Sequence, residues 1–251
     1  MAVAQRSREL EYSDLGGAAA AQLEPRELGR LGFRDAKRVQ QSILAGPEKK
    51  ILVWLAEHAP ARLNSDHFTV LGFCAMLLAG ASYALARWYP AALLLATFFL
   101  ALNWLGDSLD GTLARVRNQL RPRYGFYVDH ILDSFGALAL MGGLALSGFV
   151  QGRIALGMLI AFLLLSIEVY LATYTIGNFH LSFWKFGPTE VRVLLAIGNI
   201  ALLTHPNIHV LGREFRLFDF GGVIAIAGMG VMTAFSALRH IRYLYRLERL
   251  P

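Results

Sequence analysis

Six runs of about twenty apolar residues, separated by short polar links, fill the sequence between residues 66 and 239. About 20 apolar residues in an α-helix cross a bilayer. Lipid leaves an unpaired backbone no partner, so such runs can only be helices. The pattern predicts spans near 66–86, 90–114, 125–148, 153–176, 188–204 and 219–239, the fifth being short. Composition agrees: 55% of the 251 residues are hydrophobic and 17% are charged, where a soluble domain carries about a quarter charged. The expected fold class is therefore all-α, a polytopic membrane protein with six transmembrane helices.

Two segments precede the spans. Residues 1–45 are rich in Ala, Arg, Glu and Gln and read as a polar, mobile N-terminal tail, with no apolar signal-peptide core. Residues 46–251 form the expected membrane-embedded domain. At its start, PEKKILVWLAEHA (47–59) places a proline in a first helical turn and alternates Ile51, Leu52, Trp54 and Leu55 with charges. This is the pattern of an amphipathic helix lying on the membrane surface. A single cysteine, Cys74, rules out an internal disulfide.

The distribution of positive charge predicts orientation. Lys and Arg number 20 on one side of the spans and 4 on the other; without the first 40 residues the ratio is 13 to 4. Cytoplasmic loops carry this excess. Both termini and the loops at 115–124 and 177–187 are thus expected in the cytoplasm, in a bacterial inner membrane. The net charge of +6 is this bias, and no nucleic-acid motif accompanies it.

Against this background, DSLDGTLARVRNQLRPRYGFYVDHILD (107–133) is anomalous. Asp107 and Asp110 are three residues apart at the cytoplasmic end of the second span. Asp129 and Asp133 are four apart at the start of the third. Each spacing puts both carboxylates on one helical face, and an antiparallel connection makes the two faces neighbours. Four converging carboxylates repel one another unless a cation sits between them. Hard oxygen donors favour Mg²⁺, Mn²⁺ or Ca²⁺ over zinc. Ionisable residues at membrane depth mark function. Gly111 and Gly125 suggest close approach of a ligand, and Arg115 adds a guanidinium at the rim, suited to phosphate oxygens. Arg117, Arg121 and Arg123 read as plain positive-inside charge.

Asp107-x-x-Asp110-Gly111-x-x-Ala114-Arg115, followed after nine residues by Gly125-x-x-x-Asp129-x-x-x-Asp133, resembles the signature of the CDP-alcohol phosphotransferases at all eight of its positions. The resemblance implies six helices behind a surface helix. It implies attack of a hydroxyl on the β-phosphorus of a CDP-linked alcohol, with release of CMP. Two Mg²⁺ or Mn²⁺ ions would be held by Asp107, Asp110 and Asp129, with Asp133 as ligand or base. Asp107, Gly111 and Arg115 would hold the cytidine diphosphate. The segment Asn64-x-x-x-x-Thr69-x-x-Gly72 is similar to another family motif, in which Asn64 bears on the nucleotide; Asn64 is equally suited to cap the first span.

His130, directly after Asp129, and Gly187-Pro-Thr-Glu190 resemble the choline/ethanolamine branch. There the histidine would deprotonate a lipid hydroxyl, with Glu190 raising its basicity. That branch implies CDP-choline or CDP-ethanolamine as donor and diacylglycerol as acceptor. The alternative is a CDP-diacylglycerol-dependent transfer to a polar alcohol such as inositol phosphate, glycerol phosphate or serine, for which Arg121, Arg123, Lys185 and Arg192 could build a basic pocket. An alternative of another class is a divalent-cation transporter. Glu168, mid-span, is expected to make a structural hydrogen bond inside the bundle, and PNIH (206–209) to be a loop. The glycines of GGVIAIAGMG (221–230) suggest close helix packing. Homodimers are usual in the family.

Overall fold

The computed structural model describes residues 37–39, 45–176, 178–180, 187–210 and 212–248, all within the unit Lys37–Pro251. Apart from 37–39 and 45, the expected tail 1–45 lies outside the described residues, as does Lys185. Among the described residues, seven helices carry the fold: α1 (Ala45–His58), α2 (Ser65–Leu85), α3 (Ala92–Val116), α4 (Pro122–Leu146), α5 (Gly152–Ile176), α6 (Pro188–Thr204) and α7 (Leu217–Leu247). The protein is an all-α polytopic membrane protein. Five helices, α2 to α5 and α7, are long and apolar enough to span a bilayer. α6 has 17 residues, at the lower limit of a spanning helix. Leu94, Phe98, Leu138, Leu164, Val231 and Phe235 stand exposed on these helices, as a lipid-facing surface requires.

Local sequence sets the helix ends. Asn64 caps α2: its side chain accepts from the backbone N–H of His67 at 3.2 Å, and its own N–H donates to His67 Nδ1. Of the two roles considered for Asn64, the cap is the one its geometry displays. Pro122 and Pro188 open α4 and α6, where a missing N–H costs nothing. α3 stops at Arg117, followed by Asn118 with φ 55°, a left-handed stop that asparagine tolerates.

α2 is the centre of the bundle. It packs along both α3 and α4, while α5 pairs with α7 and α6 lies on α3. Glycines set the closest approaches. A Cβ on Gly106 of α3 would come within 2.6 Å of the backbone N of Gly72 on α2, and one on Gly80 of α2 within 2.3 Å of the Ala139 carbonyl on α4. The faces carrying the two pairs of aspartates were expected to be neighbours, and the four carboxylates do line one cavity. α3 and α4 each pack chiefly on α2, and their acidic faces look across a space. Gly125 has no atom near its missing Cβ, so it makes no helix contact. In α7, Gly222 packs on Ile154 and Met158 of α5, but Gly228 and Gly230 meet nothing.

The main apolar core lies away from the aspartates. Tyr83, Leu93, Ala96, Leu100, Leu140 and Leu144 form it, crossed by one buried polar chain: Tyr83 Oη donates to Asn199 Oδ1 at 2.8 Å and Asn199 Nδ2 donates to Thr97 Oγ1 at 3.1 Å. A smaller core forms where α1 meets α3, from Leu52, Ala56, Leu109 and Leu113. The amphipathic α1 thus buries one face on the body and keeps Ile51 and Trp54 exposed.

Among the described residues are four short strands that were not expected. β1 (Lys37–Val39) pairs in parallel with β2 (Asn178–His180). β3 (Asn207–Val210) and β4 (Arg213–Arg216) form a hairpin, so PNIH is not the predicted loop. Its reach is four residues a side, too short for alternation to stand out, and Gly212 with φ 76° supplies the positive φ that a tight hairpin turn requires.

Candidate active site

Asp107, Asp110, Asp129 and Asp133 line one cavity of about 30 Å³. Its walls come from three helices: Thr69, Gly72, Phe73 and Met76 of α2; Asn103, Asp107 and Asp110 of α3; Asp129, Leu132, Asp133 and Gly136 of α4. The spacing that placed each pair on one face is the spacing the structure uses, and the shared neighbour α2 sets the two faces opposite each other. Asp110 is buried, Asp107 and Asp129 are partly exposed and Asp133 is exposed.

The surrounding groups hold these carboxylates by complementary donors. Thr69 Oγ1 donates to Asp110 Oδ2 at 2.8 Å, and the Gly111 N–H meets Asp110 Oδ1 at 2.5 Å. Ser65 Oγ donates to the Asp110 carbonyl at 3.0 Å. Arg192 of α6 donates from Nη2 to Asp107 Oδ2 at 2.7 Å. Asp133 lies within electrostatic range of the other three aspartates and of Arg192. Thr69 was legible as the threonine of the Asn64–Thr69–Gly72 motif; the pairing of Arg192 with Asp107, 85 residues away, had no sequence signal.

The donor set suits a hard divalent cation: four carboxylates, no thiolate, at one cavity. Among the described residues, no three acidic, histidine or cysteine side chains are arranged as a metal-holding group. The hydrogen bonds above supply a physical reason. Asp110 directs both oxygens, and Asp107 one, at protein donors.

The other predicted residues occupy the surroundings. Arg115 is exposed one turn beyond Gly111, with Nη2 3.2 Å from Thr112 Oγ1. His130 is not among the cavity's lining residues. Its ring stacks against Phe126, with centroids 4.1 Å apart, and meets Tyr170 of α5 edge-on at 4.7 Å. Nδ1 lies 2.5 Å from the Phe126 carbonyl. A carbonyl only accepts, so Nδ1 carries a proton, which leaves Nε2 as the nitrogen able to accept one. Glu190 is buried at the start of α6, where Oε2 accepts from the Gly187 N–H at 2.9 Å.

Two arginines expected as positive-inside charge also make specific contacts. Arg117 donates to the carbonyls of Ala59, Pro60 and Leu63, the chain between α1 and α2. Arg121 pairs with Asp66 and lies over the Tyr124 ring at 4.2 Å. Glu168 makes the expected structural bond, with Oε1 2.6 Å from His240 Nδ1 on α7.

A bundle of spanning helices with four aspartates around one cavity defines a membrane protein built to handle charge at a single site. Residues 63–235 match the family model of the CDP-alcohol phosphatidyltransferases, and the chain belongs to this family. Archaetidylinositol phosphate synthase of Pyrococcus horikoshii is 32% identical over 89 residues, 36% of this chain and 44% of that protein. The match thus spans less than half of that relative's length.

Proposed function

We propose that this protein transfers a substituted phosphate group from a CDP-linked alcohol to a hydroxyl acceptor, with release of CMP, at the cytoplasmic side of a membrane. The observation that carries this reading is the convergence of Asp107, Asp110, Asp129 and Asp133 on one cavity, in a chain of this family. Asp107, Asp110 and Asp129 would hold Mg²⁺ or Mn²⁺, which would supply Lewis-acid stabilisation of charge on the phosphate oxygens. Arg115 and Gly111 bind the cytidine diphosphate, the guanidinium by phosphate contact and the glycine by leaving room. Asp133 is exposed at the cavity and suited to take the acceptor's proton. The acceptor oxygen bonds to the β-phosphorus as the bond from that phosphorus to the CMP oxygen breaks. Positioning and electrostatics do most of this work in phosphoryl transfer.

Two finer readings have separate support. His130 and Glu190 favour CDP-choline or CDP-ethanolamine as donor and diacylglycerol as acceptor, with His130 Nε2 as the base. The name of the archaeal relative, archaetidylinositol phosphate synthase, supports the alternative reading, in which a phosphorylated alcohol such as inositol phosphate is the acceptor.

A donor panel tests both levels. Purified full-length protein with Mg²⁺ or Mn²⁺ is given CDP-choline, CDP-ethanolamine or CDP-diacylglycerol with matched acceptors, and CMP is measured. Asp129→Asn should lower release by about 10²–10³-fold, the scale of a lost transition-state contact. Release that survives this substitution removes the aspartate cavity from the reaction. His130→Ala should cost about 10²-fold if the imidazole is the base; full activity returns that role to Asp133.

A further inference from the structure

Glu48 is the least expected side chain near this site. It belongs to the first turn of α1, the surface helix, yet its carboxylate reaches into the bundle. Oε1 lies 2.8 Å from Trp104 Nε1, 3.3 Å from Ser108 Oγ and 3.3 Å from Thr189 Oγ1. All three are donors, two from α3 and one from α6. Oε2 is buried with no hydrogen-bond partner among the described residues. A buried carboxylate oxygen without a partner is costly, so this side chain is held where it is by what Oε1 joins.

What Oε1 joins is adjacent to the site on both sides. Ser108 follows Asp107 directly. Thr189 lies one helical turn before Arg192, whose guanidinium meets Asp107 at 2.7 Å. α3 and α6 are therefore linked twice within one turn: through Glu48 by Ser108 and Thr189, and directly by Asp107 and Arg192. Leu52 and Ala56 of the same α1 bury against Leu109 and Leu113 on α3, which fixes the helix that presents Glu48.

We propose that Glu48 is a positioning residue: it holds the first turn of α6 against α3 and thereby sets Arg192 opposite Asp107. The inference rests on the proposed reaction only for its catalytic consequence. α1 then does more than lie on the bilayer surface. Its apolar outer residues, Ile51 and Trp54, and its inward carboxylate connect the membrane surface to the cation-bearing face of α6.

Hydrogen–deuterium exchange of the full-length protein reads the positioning without reference to activity. Glu48→Ala and, from the other side, Thr189→Val should speed exchange in the segment 187–195 by about tenfold, the scale of one lost hydrogen bond to a charged group. Glu48→Gln keeps an acceptor oxygen and should stay within about threefold. Glu57→Ala, an exposed change on the same helix, should leave this segment unchanged. Unaltered exchange in Glu48→Ala and in Thr189→Val overturns the proposal. The catalytic consequence is read by CMP release: Glu48→Ala should slow it about tenfold in the wild-type background and not at all in an Arg192→Ala background, because coupled residues do not add. Equal losses in both backgrounds overturn the route through Arg192. Absence of CMP release from the wild type refutes the proposed reaction instead, and the exchange result still decides the role of Glu48.

Discussion

Arg192 on α6 places its guanidinium 2.7 Å from the carboxylate of Asp107 on α3. Arg192 is largely buried, with 13% of its side chain exposed, while Asp107 keeps 37% exposed. The guanidinium therefore occupies one oxygen of a carboxylate that lines the aspartate cavity. A divalent cation held by the aspartates would compete with it for Asp107. Arg192→Ala should tighten Mn²⁺ binding by about tenfold, equivalent to about 1.4 kcal/mol, while slowing transfer. Mn²⁺ titration followed by electron paramagnetic resonance measures the first effect. Unchanged or weaker Mn²⁺ binding contradicts the competition.

The glycines separate packing from ligand space. Gly106→Ala drives a Cβ to 2.6 Å from the Gly72 backbone, and neither backbone can yield cheaply. Overpacking of this kind costs about 1–3 kcal/mol, visible as a lower melting temperature in detergent. Gly125→Ala meets no atom within 4 Å and improves helix propensity by just under ~1 kcal/mol. Its melting temperature should hold or rise while the KM for the CDP-alcohol increases. A stable, fully active Gly106→Ala protein would show that α2 and α3 need no such close approach.

Arg117 serves three carbonyls of the chain that joins α1 to α2. Arg117→Ala removes those donors without touching the aspartates. The segment 59–63 should become cleavable by limited proteolysis, and stability should fall by about 1–3 kcal/mol. Arg117→Lys should rescue only in part, since an ammonium lacks the planar fork that serves several acceptors in fixed directions. Wild-type protease resistance in Arg117→Ala would return this arginine to simple topology charge.

Glu168 and His240 meet at 2.6 Å between α5 and α7, and Glu168 Oε2 is buried without a hydrogen-bond partner among the described residues. Removing one member leaves the other without its partner in a partly buried, apolar setting, which costs about 1–3 kcal/mol. Glu168→Leu and His240→Leu should each destabilise the protein in detergent. The double variant should be more stable than either single one, because apolar replacement of both partners is often neutral. Additive losses, measured as a double-mutant cycle in melting temperature, would mean the two side chains act independently.

Much of the site was readable because helical geometry is local. Spacings of three and four residues put Asp107 with Asp110 and Asp129 with Asp133 on single faces whatever surrounds them. Asn64 as a cap, Pro122 and Pro188 as helix starts and Glu168 as an interior hydrogen-bonding group follow from the same near-neighbour chemistry. The contacts of Arg117 and Arg121 were not legible, because positive-inside bias explains any arginine at a helix end equally well. The β3–β4 hairpin was missed because two four-residue strands carry too short a pattern.

The sequence by itself determined the spanning helices and the pairing of the carboxylates within each acidic helix. These depend on residues within one or two turns of each other, and on the hydrocarbon thickness. Tertiary structure alone decided that α2 stands between the acidic helices as their common support, that Thr69 and Arg192 hold Asp110 and Asp107, and that Glu48 enters from the surface helix. Those contacts join residues 41 to 141 positions apart. They depend on how each helix is rotated and how closely its neighbours approach, which Gly72, Gly80 and Gly106 set only once the helices have packed.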